Sequence, residues 1–183
     1  MTERRALDAY YTPDDLAVRL AGLLDIRRGH TVLEPHVGGG AWARAVRQVH
    51  PSAILHVTDI DPNAAGRGVD GAISLPAVDF TASNVGDLYD WIVGNPPFGA
   101  AETHVRLALS RAYRVAFLLR LAFLESLSRI DLWETHPPAE VHVLAKRPSF
   151  TGGGTDSAAY ALFIWDQRVT TTRSRPQLSW VTP

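Results

Sequence analysis

Apolar positions along the chain alternate between two spacings, one helical and one of short unbroken runs. Leu16, Leu20, Leu23 and Leu24 recur at helical spacing and predict one buried face. Thr12-Pro13-Asp14-Asp15 in front of them reads as a helix start, with Thr12 as N-cap, Pro13 in the first helical position and acids in the first turn. Thr31–Glu34 predicts a short strand running into Val37-Gly38-Gly39-Gly40, and Ala41–Val49 predicts a helix. Residues 54–58 form the next strand, ending in Asp59-Ile60-Asp61-Pro62, with a helical turn over 63–65. Residues 66–80 carry no clear period. Tyr89–Gly94 predicts a strand closed by Asn95-Pro96-Pro97-Phe98, and 101–112 a helix. The run 115–121 is apolar apart from Arg120, the profile of a strand buried on both faces. A helix is expected over 122–130, and two strands over Glu140–Leu144 and 160–165 with Gly152, Gly153 and Gly154 between them. Strands this close, without a helix between them, read as an antiparallel pair.

The expected fold is therefore α/β: a Rossmann-like open sheet of about seven strands, mostly parallel with a C-terminal antiparallel hairpin and helices on both faces. In such sheets ligands bind beyond the carboxyl ends of the strands, near the switch in strand order.

Composition narrows the function. At 183 residues the chain is expected to form a single domain over 1–183, with no separate recognition domain of ordinary size. Nineteen acidic residues against 18 basic ones leave a net charge of −1, which excludes a global positive field, so any nucleic-acid contact must be local. Cysteine is absent, which excludes disulfides, thiolate metal sites and cysteine nucleophiles; no metal site is expected. With no secretory-type apolar segment and no run of about 18 apolar residues, the expectation is a soluble cytoplasmic protein without membrane contact.

The chemistry gathers at the predicted strand ends. Glu34 precedes three glycines, which let the backbone turn sharply and let a ligand approach the peptide groups. The dinucleotide pattern is met through Ala43, but an anion at the mouth of the turn repels a pyrophosphate, so a cationic or neutral ligand fits better. Asp59, about 20 residues beyond the turn, is placed to accept both hydroxyls of a ribose. Asp79-Phe80 offers a second acid, expected at the third strand end. Together these acids describe a pocket for a ribose-bearing, positively charged cofactor. In Asn95-Pro96-Pro97-Phe98 two prolines remove two amide donors. The Asn95 side-chain oxygen and the Pro96 carbonyl then stand as acceptors for a planar NH2 group, beside an aromatic face on which a flat substrate can stack.

In order and spacing, Glu34-x-x-x-Gly38-x-Gly40, Asp59, Asp79-Phe80 and Asn95-Pro96-Pro97-Phe98 resemble the motifs of class I S-adenosylmethionine-dependent methyltransferases that modify planar amino groups. The resemblance covers residues 10–165. Tyr10-Tyr11-Thr12-Pro13 is similar to the N-terminal cofactor motif of the N6-adenine DNA methyltransferases. The stretch 117–126, with Arg147-Pro148-Ser149-Phe150 and Thr155-Asp156-Ser157, looks like small phage-type members of that group. The resemblance implies S-adenosyl-L-methionine as cofactor, with Glu34, Gly38 and Gly40 along its methionine part, Asp59 at its ribose, and Asp79 with Phe80 at its adenine. Tyr11 and Thr12 would close over it, with Pro13 setting the helix and Pro35, His36 and Ile60 beside it. Asn95, Pro96 and Pro97 would form the catalytic loop, and Phe98 would stack on a flipped base. It implies DNA as the favoured partner, in a bacterial or phage setting. An RNA amino group, a protein glutamine amide, or a non-catalytic cofactor-binding subunit remain as alternatives. Base readout would come from 99–112, the 145–157 loop, a second copy of the chain or a recognition partner. Arg147, Arg173 and Arg175 are candidate phosphate contacts.

Overall fold

A computed structural model describes residues 10–65, 69–82, 88–150, 156–168 and 176–183. The expected Gly152–Gly154 loop with Thr155, and Arg173 and Arg175, lie outside the described residues.

The described part is one eight-stranded sheet: β1 Thr31–Glu34, β2 Ile54–Val57, β3 Ile73–Ser74, β4 Tyr89–Gly94, β5 Ala112–Arg120, β6 Glu140–Leu144, β7 Tyr160–Asp166 and β8 Gln177–Val181. Their order across the sheet is β3-β2-β1-β4-β5-β7-β6-β8. Strand β7 is antiparallel to both neighbours, whereas every other pairing is parallel. The expected antiparallel pair is thus β6 and β7, with β7 the reversed member.

Alternation within the strands builds two cores. In β5, Ala116 and Leu118 point to one face while Val115, Phe117 and Leu119 point to the other, and residues 115–119 are all fully buried. The first face is covered by helices α1 (Asp14–Ala21) and α2 (Ala41–Val49), through Leu16, Leu20, Trp42 and Val46. The second is covered by α4 (Ala101–Arg111) and α5 (Ile130–Thr135), through Val105, Leu109 and Leu132. A short α3 (Pro62–Ala65) follows β2. Each large apolar side chain fully buried here contributes about 1.5–3 kcal/mol.

Five expectations need correction. Pro13 has an extended ψ of 139°, so it is the residue before α1 and not its first helical residue. The first helical hydrogen bond runs from Ala17 N to the Pro13 carbonyl, and the Thr12 hydroxyl caps nothing: it is buried without a partner. The helix expected over 122–130 is instead two short 3-10 turns, Leu121–Leu124 and Leu127–Arg129, followed by α5. Arg129 reaches back to the carbonyls of Phe123 and Glu125, which takes them out of any helical ladder. The sheet has eight strands where about seven were expected, with β8 at its edge. Asp79 does not stand at a strand end, since β3 closes at Ser74 and Asp79 lies in the loop beyond.

Candidate active site

A cavity of about 310 Å3 opens at the carboxyl ends of β1, β2 and β4. Its walls are Tyr10 and Tyr11, the turn after β1 (Pro35, His36, Gly38), the turn after β2 (Asp59, Ile60, Asp61), Asp79 with Phe80 and Thr81, and the segment after β4 (Asn95, Pro97, Ala100, His104). A narrower annex shares Tyr10, Tyr11, His36, Gly38 and Asn95 and adds Thr12, Glu34 and Trp42. The structure thus brings together most of the residues singled out in the sequence, from five separate segments. Pro13, Gly40, Pro96 and Phe98 line neither space: Pro13 stands at the start of α1, Gly40 closes the turn, Pro96 is buried behind the loop, and Phe98 packs beyond it.

The glycine turn needs left-handed backbone. Gly38 has φ +47° and Gly40 φ +81°, and a Cβ at residue 38 would stand 2.9 Å from Cε1 of Tyr11. Tyr11, itself 46% exposed, lies over the turn because the turn offers it a surface without side chains. The amide of Gly38 donates to Asp59 Oδ2 at 2.8 Å, and the amide of Asp61 donates to Asp59 Oδ1 at 3.0 Å. Two amides fix the carboxylate and leave half of its roughly four acceptor sites for a ligand. Asp79 is held in turn by the amide and hydroxyl of Thr81, and its loop is drawn to the second strand end by a bond from Val78 N to the Asp59 carbonyl.

Glu34 is 1% exposed and its Oε2 has no partner. Burial pushes its carboxyl well above the ordinary range, against the pull of the Ala43 amide, and the charge of Asp59 adds to the rise. The carboxyl is therefore poised for a cation: a positive group in the annex would return it to the ionised form. His36 has two shielded ring nitrogens without partners. Its ring packs on His104 at 4.7 Å and edge-on to Phe80 and Phe117 at 5.7 and 6.0 Å. Burial, with His104 nearby, lowers its pKa well below the usual histidine value, so it is neutral.

His104 is a cavity residue that the sequence reading missed. It lies on the buried face of α4, three residues after Ala101 and one before Val105, so helical spacing carried the signal. Its Nδ1 stands 2.9 Å from the Ala100 carbonyl, which only accepts; Nδ1 thus carries the proton and Nε2 is the free acceptor.

After β4, Asn95 Nδ2 donates to the carbonyl of Tyr10 at 2.7 Å, and Oδ1 is buried without a partner. The Tyr10 carbonyl can only accept, so the amide orientation is dictated and Oδ1 is the atom left as an acceptor. Phe98 is placed differently from its neighbours. Its ring lies among Tyr10 (5.4 Å), Tyr160 (5.4 Å) and Phe150 (6.1 Å), with the Arg120 guanidinium 4.9 Å from its centroid. Among the described residues no group of three or more His, Asp or Glu could hold a metal ion.

No family model matches the chain. It is 34% identical over 98 residues to the type II methyltransferase M.TthHB8I of Thermus thermophilus, an alignment covering 52% of this chain and 22% of that protein. It is 29% identical over 102 residues to the type II methyltransferase M.CvrRI of Paramecium bursaria Chlorella virus XZ-6E, covering 55% of this chain and 27% of that protein. The chain spans about a quarter of the length of these curated relatives. Among solved structures it is similar to the 23S rRNA methyltransferase ErmE, with a TM-score of 0.66 at 19% identity over 88% of this chain and 70% of that one. The fold is that of the class I methyltransferases. In this methyltransferase fold the cavity occupies the strand ends on which ligand binding is expected, and the sequence resemblance to the type II enzymes extends over about half of the chain.

Proposed function

We propose that the protein is an S-adenosyl-L-methionine-dependent methyltransferase acting on a planar amino group, N6 of adenine in DNA. The observation that carries this reading is Asn95: its Nδ2 is fixed by the Tyr10 carbonyl, and its Oδ1 is buried and unpartnered, which is costly unless a donor arrives. The residues around it fit the cofactor. Glu34 offers a buried oxygen to a cationic group, Asp59 offers acceptor sites to a ribose diol, and Phe80 and Ile60 offer apolar surface to a heterocycle. When bound, S-adenosyl-L-methionine supplies a methyl group on a sulfonium, an electrophile that needs no covalent enzyme intermediate. Asn95 Oδ1 and the Pro96 carbonyl accept the two N–H groups of the amine. They hold its nitrogen in place and stabilise the positive charge that it develops as it attacks. Tyr11 covers the glycine turn, and His36 stays neutral so that no second cation competes with the cofactor.

DNA is favoured because the curated relatives are type II methyltransferases; the ErmE likeness keeps an RNA amino group as the second reading. The described residues are assigned to the one sheet and its covering helices. Base readout then falls to the 99–112 region, the 145–157 loop, a second copy or a recognition partner. Among the described residues no helix is long and apolar enough to cross a membrane. The test uses the protein with radiolabelled cofactor and, in separate reactions, duplex DNA, RNA and a protein extract. Label in DNA, recovered as N6-methyladenine after digestion, is the expected result, and label in protein alone overturns the substrate. Asn95→Ala is expected to lower transfer by about 10²–10³ while calorimetric cofactor affinity stays within a few-fold; retained transfer would remove Asn95 from its role.

A further inference from the structure

The expected stacking platform, Phe98, is not bare. Arg120 ends β5 at the carboxyl edge of the sheet, directly after the buried run 115–119, and lays its guanidinium 4.9 Å from the Phe98 centroid. Its Nε is 3.4 Å from the Tyr160 hydroxyl, which donates to Asp156 Oδ2 at 2.9 Å. The flat face and one edge of the guanidinium are thus anchored, while Nη1 and Nη2 make no bond to a described residue. The contrast with the other arginines is chemical. Arg19, Arg27, Arg44, Arg106, Arg114, Arg129 and Arg168 each stand in ion-pair contact with a carboxylate, and Arg47 and Arg111 spend Nη1 on the carbonyls of Ala53 and Phe80. Arg120 is exposed and makes no ion-pair contact among the described residues; Asp156 acts on it at longer range and through the Tyr160 hydroxyl.

A planar fork of donors beside the Asn95–Phe98 loop, with both Nη groups unbonded among the described residues, matches a phosphate. Its present seat is the ring face that a planar base would use. The two facts combine if one displaces the other. Resting on the DNA reading above, we propose that Arg120 holds the phosphate backbone of the substrate strand at the entrance to the site, leaving the face of Phe98 as the target base takes its place. A chain of net charge −1 then needs no basic surface: a few contacts at the rim, with Arg120 first among them, supply the electrostatic attraction.

The experiment compares wild type, Arg120→Ala and Arg120→Lys for methyl transfer to a duplex oligonucleotide across a series of salt concentrations, with a melting midpoint and a calorimetric cofactor affinity for each. Loss of one phosphate contact is expected to raise KM for DNA about tenfold and to reduce the slope of log KM against log salt by about one unit. Cofactor affinity stays unchanged. Arg120→Lys restores the slope but only part of KM, because an ammonium keeps the charge and loses the fork. Unchanged KM and slope in Arg120→Ala overturn the proposal. So does a fall in kcat with both unchanged, which would make Arg120 a brace for the aromatic cluster. Should Arg120→Ala fail to fold, the test rests on Arg120→Lys: a KM no higher than wild type's then overturns the proposal. Failure of the substrate reading is seen separately, as wild-type protein that labels no DNA at any salt concentration.

Discussion

The two ends of the sheet are built on opposite terms. At the amino ends of the strands, charges answer one another: Arg114 Nε meets Asp166 Oδ2 at 2.6 Å, Arg168 reaches the same carboxylate, and Asp25 is shared by Arg27 and Arg114. Arg27 beside it holds the Asp25 carboxyl at about 2. Asp90 accepts from both the amide and the hydroxyl of Thr31. At the carboxyl ends the reverse holds. Buried polar atoms there lack partners: Thr12 Oγ1, Glu34 Oε2, both ring nitrogens of His36, Asn95 Oδ1 and Ser149 Oγ. The remaining buried orphans among the described residues are tryptophan Nε1 atoms. Unsatisfied buried polar groups are rare in native proteins because each is costly. Their concentration at one end fits a ligand-binding end, whereas at the other the described carboxylates are paired and only Trp91 Nε1, beside Arg114, is left without a partner.

The strongest way to break that comparison is to damage the closed end. The side chains of Arg114 and Asp166 are 16% and 12% exposed, so Arg114→Ala removes the nearest partner of a nearly buried carboxylate, leaving it Arg168, and uncovers the Trp91 ring; it is expected to cost about 3 kcal/mol. At 2–4 °C per kcal/mol for a chain of this size, the melting midpoint falls by roughly 6–12 °C. Cofactor affinity, measured below the midpoint, should not change. A large loss of affinity would show that the two ends are coupled and that the division drawn above is false.

The open end should respond to pH instead. Glu34 has a folded-state pKa raised above its unfolded value, so its contribution is fully present below the ordinary glutamate range and is lost as pH rises toward the folded pKa. His36 is lowered, so its contribution is present above the ordinary histidine value and is lost as pH falls below it. Stability of the ligand-free protein is therefore expected to fall on both limbs, each with a slope of at most about 1.4 kcal/mol per pH unit. Glu34→Gln should flatten the upper limb and His36→Asn the lower one, as read from denaturant melts at several pH values. If both variants keep the wild-type profile, neither side chain is held in the uncharged state.

How much of this was legible in sequence depended on whether the cause was local. The limits of β1, β4 and α2 follow from apolar runs and from glycines and prolines that stop them, and these were read correctly. The stretch 122–130 has a helical pattern, but Arg129 takes the Phe123 and Glu125 carbonyls with its side chain, a contact that no periodicity announces. Strand β8 exposes Leu178 and Trp180, at 54% and 62%, so it lacked the buried run by which a strand declares itself. Within the site, residue identities and spacing pointed to the cavity. What they did not reveal was Phe98 beneath Arg120, because the partners are 22 positions apart and meet only when β4 and β5 lie side by side.

The smallest expected effects sharpen the comparison most, because they use the same substitution at both ends. Gly29, before β1, has φ +80° and a Cβ there would meet nothing within 4 Å; Gly38, after β1, has φ +47° and its Cβ would stand 2.9 Å from Tyr11. Gly29→Ala therefore carries only the left-handed backbone term, about 1 kcal/mol. Gly38→Ala carries a similar term and must also move the Tyr11 ring off the turn. That ring is exposed and free to swing outward, so the added loss of stability is small, but the wall of the cavity moves with it. Calorimetry should find cofactor affinity unchanged in Gly29→Ala and reduced in Gly38→Ala, although the two variants melt within a few degrees of each other. Equal affinity in both would mean that Tyr11 is not part of the binding surface, and the open end would then begin at Asp59 and Glu34.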